Sequence, residues 1–170
     1  SHLNNLSSPF FKTEALTLNS LSKLRAFMNT ARQKDLEGVI IKHRESIYES
    51  GRVRGQWWKL KVDPLSLDVV IMYAQRGKGK RSGLFTDYTY GVWNQDQLVP
   101  IGKAYSGLSN EEIETLDRLL KKQLLDKFGP VRSVKPSIVL EIAFDGIHAS
   151  GRHKSGVALR FPRIKRLRLD

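Results

Sequence analysis

Residues 67–93, LDVVIMYAQRGKGKRSGLFTDYTYGVW, predict the central part of the fold. The stretch from Leu67 to Ala74 is apolar and rich in β-branched residues, and the stretch from Gly83 to Trp93 is rich in threonine and aromatic residues. Both compositions favour β-strands. The basic turn between them contains glycines, which permit tight backbone conformations. The pattern therefore predicts two neighbouring strands joined by a positively charged loop.

The residues that follow continue this strand-rich pattern. Residues 98–104 are predicted to form a third strand, and Ser109 with Glu112 has the spacing of a helical capping box. Apolar residues then recur at helical spacing: Ile113, Leu116, Leu120, Leu124 and Phe128. Gly129-Pro130 is expected to end that helix, and residues 138–144 and 157–161 are predicted strands. Three strands, one helix and two strands is the order of a five-stranded OB barrel, so a fold that is mainly β with helices is expected.

A shorter segment with a different pattern precedes the strand-rich region. Residues 20–34 are predicted to form a helix capped by Asn19 or Ser20. Strands at residues 39–41 and 57–62 follow, and Asp63-Pro64 interrupts the pattern because proline cannot donate to a strand ladder. Two domains are therefore predicted, at residues 1–63 and 64–170.

The charge balance indicates a polyanionic partner. Lysine and arginine number 29 against 17 acidic residues, which gives a net charge of +12. Nucleic acid is the first candidate and an anionic membrane surface the second, with a generic basic protein as the alternative. The chain has no cysteine, which excludes disulfides and fits a reducing compartment, and no apolar run approaches the ~20 residues of a membrane helix. Ser1 and His2 resemble the remnant of a cleaved affinity tag.

A lysine pair on the strand at residues 57–62 is the first candidate site. Side chains alternate along a strand, so Lys59 and Lys61 share one face, about 7 Å apart. Two ammonium groups at this spacing suit a phosphate placed between them. A half-buried strand with a solvated lysine face is the alternative. Glu37, at the start of the preceding strand, is a candidate ligand for magnesium or a ribose hydroxyl, or is simply solvated.

Two basic clusters occur in the predicted barrel domain. The first is a turn that packs four cations into six residues: Arg76, Lys78, Lys80 and Arg81. It is expected to follow a phosphate backbone, or to be a flexible hairpin turn. The second cluster has eight members: Arg152, His153, Lys154, Arg160, Arg163, Lys165, Arg166 and Arg168. Two such clusters on one small domain favour a nucleic-acid groove.

Four motifs resemble those of ATP-dependent DNA ligases, and they occur in the family's order. Residues 37–42, EGVIIK, resemble nucleotidyltransferase motif IV, and residues 57–61, WWKLK, resemble motif V. Residues 67–71 with the run 77–83 resemble the start of the ligase OB domain, and residues 160–170, RFPRIKRLRLD, resemble motif VI. The chain resembles bacterial ATP-dependent ligases linked to DNA repair. The resemblance implies a partial α/β nucleotidyltransferase (adenylation) domain segment followed by an OB-fold domain.

The resemblance also implies a cytoplasmic, monomeric enzyme that uses ATP and magnesium to seal nicks in duplex DNA. A lysine attacks the ATP α-phosphate, AMP passes to the 5′-phosphate of the nick, and the 3′-hydroxyl displaces AMP. Lys59 and Lys61 are implied to hold the adenylate phosphate, and Glu37 to lie in the adenylate pocket near the metal. Arg168 and Asp170 are implied to reach the ATP pyrophosphate. DNA contacts are implied for eight basic residues: Arg76, Lys78, Lys80, Arg81, Arg152, Lys154, Arg160 and Arg163.

Two departures from the family pattern limit what this chain is expected to do. The family nucleophile lies in a Lys-x-Asp-Gly motif, which is absent; Phe144-Asp145-Gly146 comes nearest, with Ala143 in the place of the lysine. The lysine that closes motif VI would follow Asp170. The chain is therefore expected to be a fragment that binds DNA without forming an AMP adduct. A freestanding OB-fold nucleic-acid-binding protein, and an RNA ligase or mRNA capping relative, are the alternatives.

Overall fold

The structure, a computed structural model, describes residues 15–34, 36–51 and 54–170. Ser1 and His2, the predicted tag remnant, lie outside the described residues. The chain divides between Val62 and Asp63 into two compact units, which we call unit 1 and unit 2 and describe separately. Within the described part, no helix is long and apolar enough to cross a membrane.

Unit 1 contains one helix and a two-stranded antiparallel sheet. Helix α1 (Leu21–Gln33) begins at Ser20, whose hydroxyl accepts a hydrogen bond from the backbone N–H of Lys23 at 3.3 Å. Such a cap satisfies one of the backbone donors that a helix leaves free at its start. Strand β1 (Gly38–Lys42) pairs with strand β2 (Trp57–Lys61). The helix and both strands predicted for this segment are therefore present.

Unit 2 is mostly β-structure. Its strands and its α-helix are, in order, β3 (Leu65–Arg76), β4 (Phe85–Asn94), β5 (Gln97–Ala104), α2 (Asn110–Lys121), β6 (Leu124–Phe128), β7 (Val131–Val134), β8 (Val139–Phe144), β9 (Gly146–Ala149), β10 (Val157–Arg160) and β11 (Arg163–Arg168). The main antiparallel sheet has seven strands, five of which follow one another in the order β11, β8, β3, β4, β5. Strand β7 pairs with both β3 and β6, and β9 pairs with β10 in a separate two-stranded sheet.

Irregular pairing curls the main sheet into a half-barrel. Strand β3 pairs with β8 along its first half and with β7 along its second half. Its register with β4 shifts between Ile71 and Tyr73. Bulges of this kind bend a strand and increase its local twist. The predicted fold class, mainly β with helices and an OB-type sheet, is therefore confirmed, but the sheet has seven strands where five were predicted.

The core of unit 2 joins the sheet to one face of α2. Tyr88 and Tyr90 of β4 lie in one apolar cluster with Leu116 and Leu120 of α2, and all four side chains are almost completely buried. Leu116 and Leu120 are four residues apart, so they share one face of the helix. The helical spacing in the sequence therefore marks the face that packs on the sheet.

The second helix is shorter than its sequence pattern predicts. It begins at the predicted capping box, in which Ser109 and Glu112 exchange side-chain-to-backbone hydrogen bonds. It ends at Lys121, and residues 124–128 form strand β6. The expected helix as far as Phe128 is wrong. Positions four apart share a face in a regular strand as well as in a helix, and the pairing with β7 decides between them.

The last strand of the main sheet also differs from the prediction. The alternation at residues 157–161 predicts this strand, but β10 pairs with β9, and it is β11 that pairs with β8. Phe161 lies outside both strands, with a φ of +50°. Alternation therefore located a strand correctly but not its partner, because the partner depends on pairing with distant residues.

Candidate functional site

A glycine at the start of β1 sets how closely the two strands of unit 1 approach. Gly38 has a φ of +140°, and a Cβ built on it would lie 2.1 Å from the carbonyl oxygen of Leu60. Any larger residue would require the backbone to move. Gly38 lies opposite Lys61, and the N–H of Val62 donates to the carbonyl of Glu37 at 3.0 Å. The glycine therefore supports the register that brings Glu37 to the lysine-bearing strand.

An ion pair joins two of the predicted site residues. The Nζ atom of Lys59 lies 2.8 Å from Oε2 of Glu37, and both side chains remain partly exposed. Lys61 lies two positions further along β2, so its side chain leaves the strand on the same face as that of Lys59. The structure thus brings Glu37 together with the lysine pair. The direct contact between Glu37 and Lys59 is a feature that the sequence did not reveal.

Further cationic and aromatic groups lie on the same face. The Nζ atom of Lys42 lies 4.0 Å from the ring centroid of Trp57, which is within cation–π range. The indole N–H of Trp57 donates to the hydroxyl of Ser46 at 3.1 Å. Trp57 lies two positions before Lys59 on β2, so its side chain is on the same face as those of Lys59 and Lys61. Lys42, Lys59 and Lys61 therefore give this face a positive character that suits an anion.

The carboxylates of unit 1 do not form a metal cage. Among the described residues, no group of three or more histidine, cysteine or carboxylate side chains is placed to hold a metal ion. Magnesium often binds through one or two carboxylates and takes its remaining ligands from water and substrate phosphates. The carboxylate of Glu37, beside Lys59, fits a site shared with a nucleotide in this way.

The basic turn between β3 and β4 is held by contacts of its two arginines. Arg76 donates to the carbonyl of Gly83 at 3.2 Å, and its guanidinium lies 5.4 Å from the ring centroid of Phe85. Arg81 donates to Oδ1 of Asn110 at 2.8 Å. Within the described part of the chain, none of the four predicted cations of this turn has a carboxylate in ion-pair distance. Their charge is therefore available to an external anion.

The second basic cluster is spread over three elements. The guanidinium of Arg160, at the end of β10, lies 5.3 Å from the ring centroid of Phe161. Arg163, at the start of β11, pairs with Asp145 at 3.1 Å. Two members are exposed in the turn between β9 and β10: Arg152 and Lys154. The structure therefore places the predicted residues of this cluster on one hairpin and the strand after it, with the charge of Arg163 partly compensated.

The end of β11 is held to β3 by Asp68, a carboxylate that sequence reasoning missed. Arg168 donates to Oδ2 of Asp68 at 3.0 Å, and its Nε and Nη2 donate to the two carboxylate oxygens of Asp170 at 2.8 and 2.9 Å. Hydrogen bonding to Asp170, followed by the charges of Asp170 and Asp68, raises the pKa of Arg168. Hydrogen bonding to Arg168 likewise lowers the pKa of Asp170.

Glu141 of β8 holds the middle of β11 in the same way. Its carboxylate pairs with Lys165 at 2.7 Å and with Arg166 at 2.9 Å, although only 8% of the residue is exposed. Hydrogen bonding from Lys165, then from Ser66, lowers the pKa of Glu141 to about 2. Asp68 lies directly opposite Glu141 on β3. No local sequence signal marks these two acids, since their partners lie far away along the chain.

Family comparisons agree with the two-unit arrangement. The family model described as the ATP dependent DNA ligase C terminal region matches residues 81–170. The chain belongs to the ATP-dependent DNA ligase family. A second ligase family model, described as the ATP dependent DNA ligase domain, matches residues 3–61. These matches favour the DNA ligase resemblance over a freestanding OB-fold protein and over an RNA ligase or mRNA capping relative.

Individual ligases show the same relationship. The chain is 43% identical to a probable DNA ligase of Koribacter versatilis over 152 residues, which are 89% of this chain and 26% of the relative. It is 40% identical to a probable DNA ligase of Opitutus terrae over 168 residues, which are 97% of this chain and 16% of the relative. The ligase domain of LigD from M. tuberculosis superposes with a TM-score of 0.53 at 27% identity, over 83% of this chain and 47% of that one. The chain thus spans about a quarter or less of the curated relatives' length.

Proposed function

We propose that the protein seals nicks in duplex DNA with ATP and magnesium, and that this chain supplies two parts of the enzyme. Residues 1–63 would be the end of the adenylation domain, and residues 64–170 the OB-fold DNA-binding domain. The observation that carries the proposal is the Glu37–Lys59 contact with Lys61 on the same strand face, in a chain of the ATP-dependent DNA ligase family. The bacterial and archaeal relatives support a cytoplasmic enzyme that acts on the chromosome.

Charge neutralisation is the role proposed for Lys59 and Lys61. Transfer of a nucleotide phosphate is catalysed mainly by positioning and by charges fixed before the reaction starts. Two ammonium groups on one face of β2 would hold the adenylate phosphate between them, and the ion pair with Glu37 orients Lys59. When bound, magnesium would neutralise further phosphate charge, with Glu37 as its protein ligand.

The OB-fold unit would grip the DNA backbone. The eight predicted contact residues lie in the turn between β3 and β4, in the β9–β10 hairpin and at the start of β11. Phosphate contacts of this kind position a protein without reading sequence, which suits an enzyme that acts on nicks at any sequence. Arg168, held by Asp68 and Asp170, is proposed to reach the pyrophosphate of ATP.

DNA binding by the 170-residue chain is the first test. Each neutralised phosphate contributes about −0.9 to the slope of log K against log salt. If half or more of the eight residues contact phosphates, the slope for a nicked duplex should be about −4 or steeper. Titrations at two ionic strengths measure it. Failure to bind at low salt contradicts the proposed DNA grip.

Substitution of the lysine pair in the ligase that contains this chain is the second test. Lys59→Ala and Lys61→Ala should reduce transfer of AMP from ATP far more than they reduce binding to nicked DNA. Lys23→Ala on α1 is the matched control, because it removes the same charge from unit 1 outside the lysine face. Equal losses in AMP transfer and DNA binding would contradict the assigned roles. The chain alone, which contains no Lys-x-Asp-Gly motif, should form no AMP adduct.

A further inference from the structure

A cavity of about 220 Å³ lies beside the basic turn of unit 2. Five separate parts of the fold supply its walls: Arg81 from the turn, Thr86 from β4, Ser106 from the segment after β5, Ile113 from α2, and Ile164 from β11. No acidic side chain lines it. The cavity is therefore formed by the tertiary fold of the unit and has a cationic group at its wall.

Close backbone packing fixes the shape of this cavity. Gly107, another wall residue, has a φ of +113°, and a Cβ built on it would lie 1.9 Å from the carbonyl oxygen of Ile164. The N–H of Ile164 donates to the carbonyl of Ser106 at 2.8 Å. Only glycine allows the two segments to approach so closely. This wall is consequently rigid.

Two hydrogen-bond donors lie at the cavity, the guanidinium of Arg81 and the hydroxyl of Thr86. Arg81 donates to the neutral amide oxygen of Asn110, and no carboxylate of the described residues lies in ion-pair distance of it. Thr86 is only 9% exposed and lines the cavity, so its hydroxyl can donate to an acceptor that enters there. Arg81 is exposed, and its guanidinium has N–H groups beyond the one bonded to Asn110. Both groups are suited to an acceptor that carries negative charge.

Two acids that act on Tyr88 in the cavity wall, Asp117 and Asp87, are already paired. Burial raises the pKa of Tyr88, followed by the charges of Asp117 and Asp87, while Arg81 acts in the opposite direction. Asp117 pairs with Lys121 at 2.6 Å, and Asp87 pairs with Lys103 at 3.0 Å. The negative charge behind the wall is thus compensated within the protein. An anion at Arg81 would meet little repulsion from these acids.

We propose that this cavity binds a phosphate group, with Arg81 as its cationic ligand and the Thr86 hydroxyl as a second donor. A guanidinium offers several N–H groups in one plane, so it can keep Asn110 and still bind two phosphate oxygens. Either a phosphodiester of the DNA backbone or a free phosphate, such as inorganic phosphate or pyrophosphate, has this chemistry. The proposal goes beyond nick sealing because it gives unit 2 a defined anion site.

Amide NMR of the 170-residue chain tests the site. Inorganic phosphate, pyrophosphate and a short DNA duplex are titrated separately at an ionic strength held constant with chloride. We expect saturable shifts at the amides of Thr86 and Gly107 and at Nε of Arg81. Arg81→Gln and Thr86→Val should each weaken binding about ten-fold or more, as for loss of a hydrogen bond to a charged group.

The matched control is Lys127→Gln, which removes one exposed positive charge from unit 2 outside the cavity and outside the proposed DNA contacts, and should leave phosphate binding nearly unchanged. If Thr86→Val does not fold, Thr86→Ser, which keeps the hydroxyl, should bind as the natural chain does. If the duplex produces the shifts and added free phosphate reverses them, the bound phosphate group comes from the DNA backbone. If only phosphate or pyrophosphate produces the shifts, the ligand is a free anion.

Two results overturn the proposal. One is the absence of saturable shifts at the cavity with all three ligands. The other is equal weakening by Lys127→Gln and Arg81→Gln, which would mean a diffuse charge effect. Salt-dependent duplex binding without any shift at Thr86 would remove the cavity site and leave the proposed DNA grip intact.

Discussion

The guanidinium of Arg168 lies 3.0 Å from the carboxylate of Asp68, although the two residues are 100 positions apart in the sequence. Asp170 holds the same guanidinium through Nε and Nη2. Donors on all three nitrogens are engaged, so the plane of the group is fixed, while further N–H groups remain available to an outside acceptor. We infer that Asp68 orients the arginine assigned to the ATP pyrophosphate.

Replacing Asp68 should loosen Arg168 without unfolding the sheet. In Asp68→Asn, the Nη1 protons of Arg168 should exchange with solvent faster, because the carboxylate to which they donate is gone. The change in thermal midpoint should be small, since Asp68 is half exposed and exposed ion pairs contribute little. Proton exchange measured by NMR checks this, with Asp96→Asn as a control. Equal exchange in the two variants would contradict an orienting role.

The low pKa of Glu141 should make unit 2 sensitive to acid. Its pKa is about 2 in the folded chain, against an ordinary value of 4.5. A carboxyl whose pKa is lowered on folding contributes stability above its unfolded pKa, and the contribution is lost as pH falls from about 4.5 through about 2. Glu141→Gln should therefore destabilise the chain at neutral pH, and the difference from the natural chain should shrink toward pH 2.

Urea midpoints measured across this pH range test the effect of Glu141. Glu114→Gln, which removes an exposed acid from α2, is the matched control. The difference in urea midpoint between Glu114→Gln and the natural chain should change little over the same pH range. A Glu141→Gln variant with an unaltered pH profile would show that the Lys165 and Arg166 contacts do not stabilise the folded state.

Gly38→Ala should disturb the lysine-bearing hairpin of unit 1. The new Cβ would meet the Leu60 carbonyl at 2.1 Å, and the φ of +140° is strained for alanine. We expect a loss of about 1–3 kcal/mol in the free energy of unfolding of this unit. Hydrogen exchange of the β1–β2 amides measures the loss. Gly83→Ala, which meets open space at an ordinary φ, should have almost no effect, and equal protection in both variants would disprove the steric argument.

Asp117→Asn should destabilise unit 2, because Asp117 is 2% exposed and holds two partners. Oδ1 accepts the backbone N–H of Phe85 at 2.9 Å, and Oδ2 pairs with Lys121 at 2.6 Å. The amide would present an N–H₂ group to one of these donors, at a cost of about 1–3 kcal/mol. Urea unfolding checks the value, and Lys122→Met serves as the neutral comparison. If Asp117→Asn lowers the free energy of unfolding no more than Lys122→Met does, the contacts of Asp117 with Phe85 and Lys121 do not stabilise the fold.

Local patterns predicted most of the elements. Ser20 and the Ser109–Glu112 box start their helices because a short polar side chain reaches a free N–H within its own turn. The prediction failed at residues 124–128, where the local pattern fits a helix and a strand equally. The local pattern also gave no strand at residues 163–168, where β11 pairs with β8. Both failures concern pairing between segments.

The sequence by itself determined most of the helices and strands, the lysine pair on β2, and the ligase motifs, because each depends on residues a few positions apart. Only the tertiary structure decided that Glu37 contacts Lys59 and that Asp68 holds Arg168, and it alone assembled the cavity of Arg81 and Thr86. Those contacts depend on strand register and bulges, and a shift of one residue would turn every side chain to the other face. Their geometry is fixed by the packing of the whole unit.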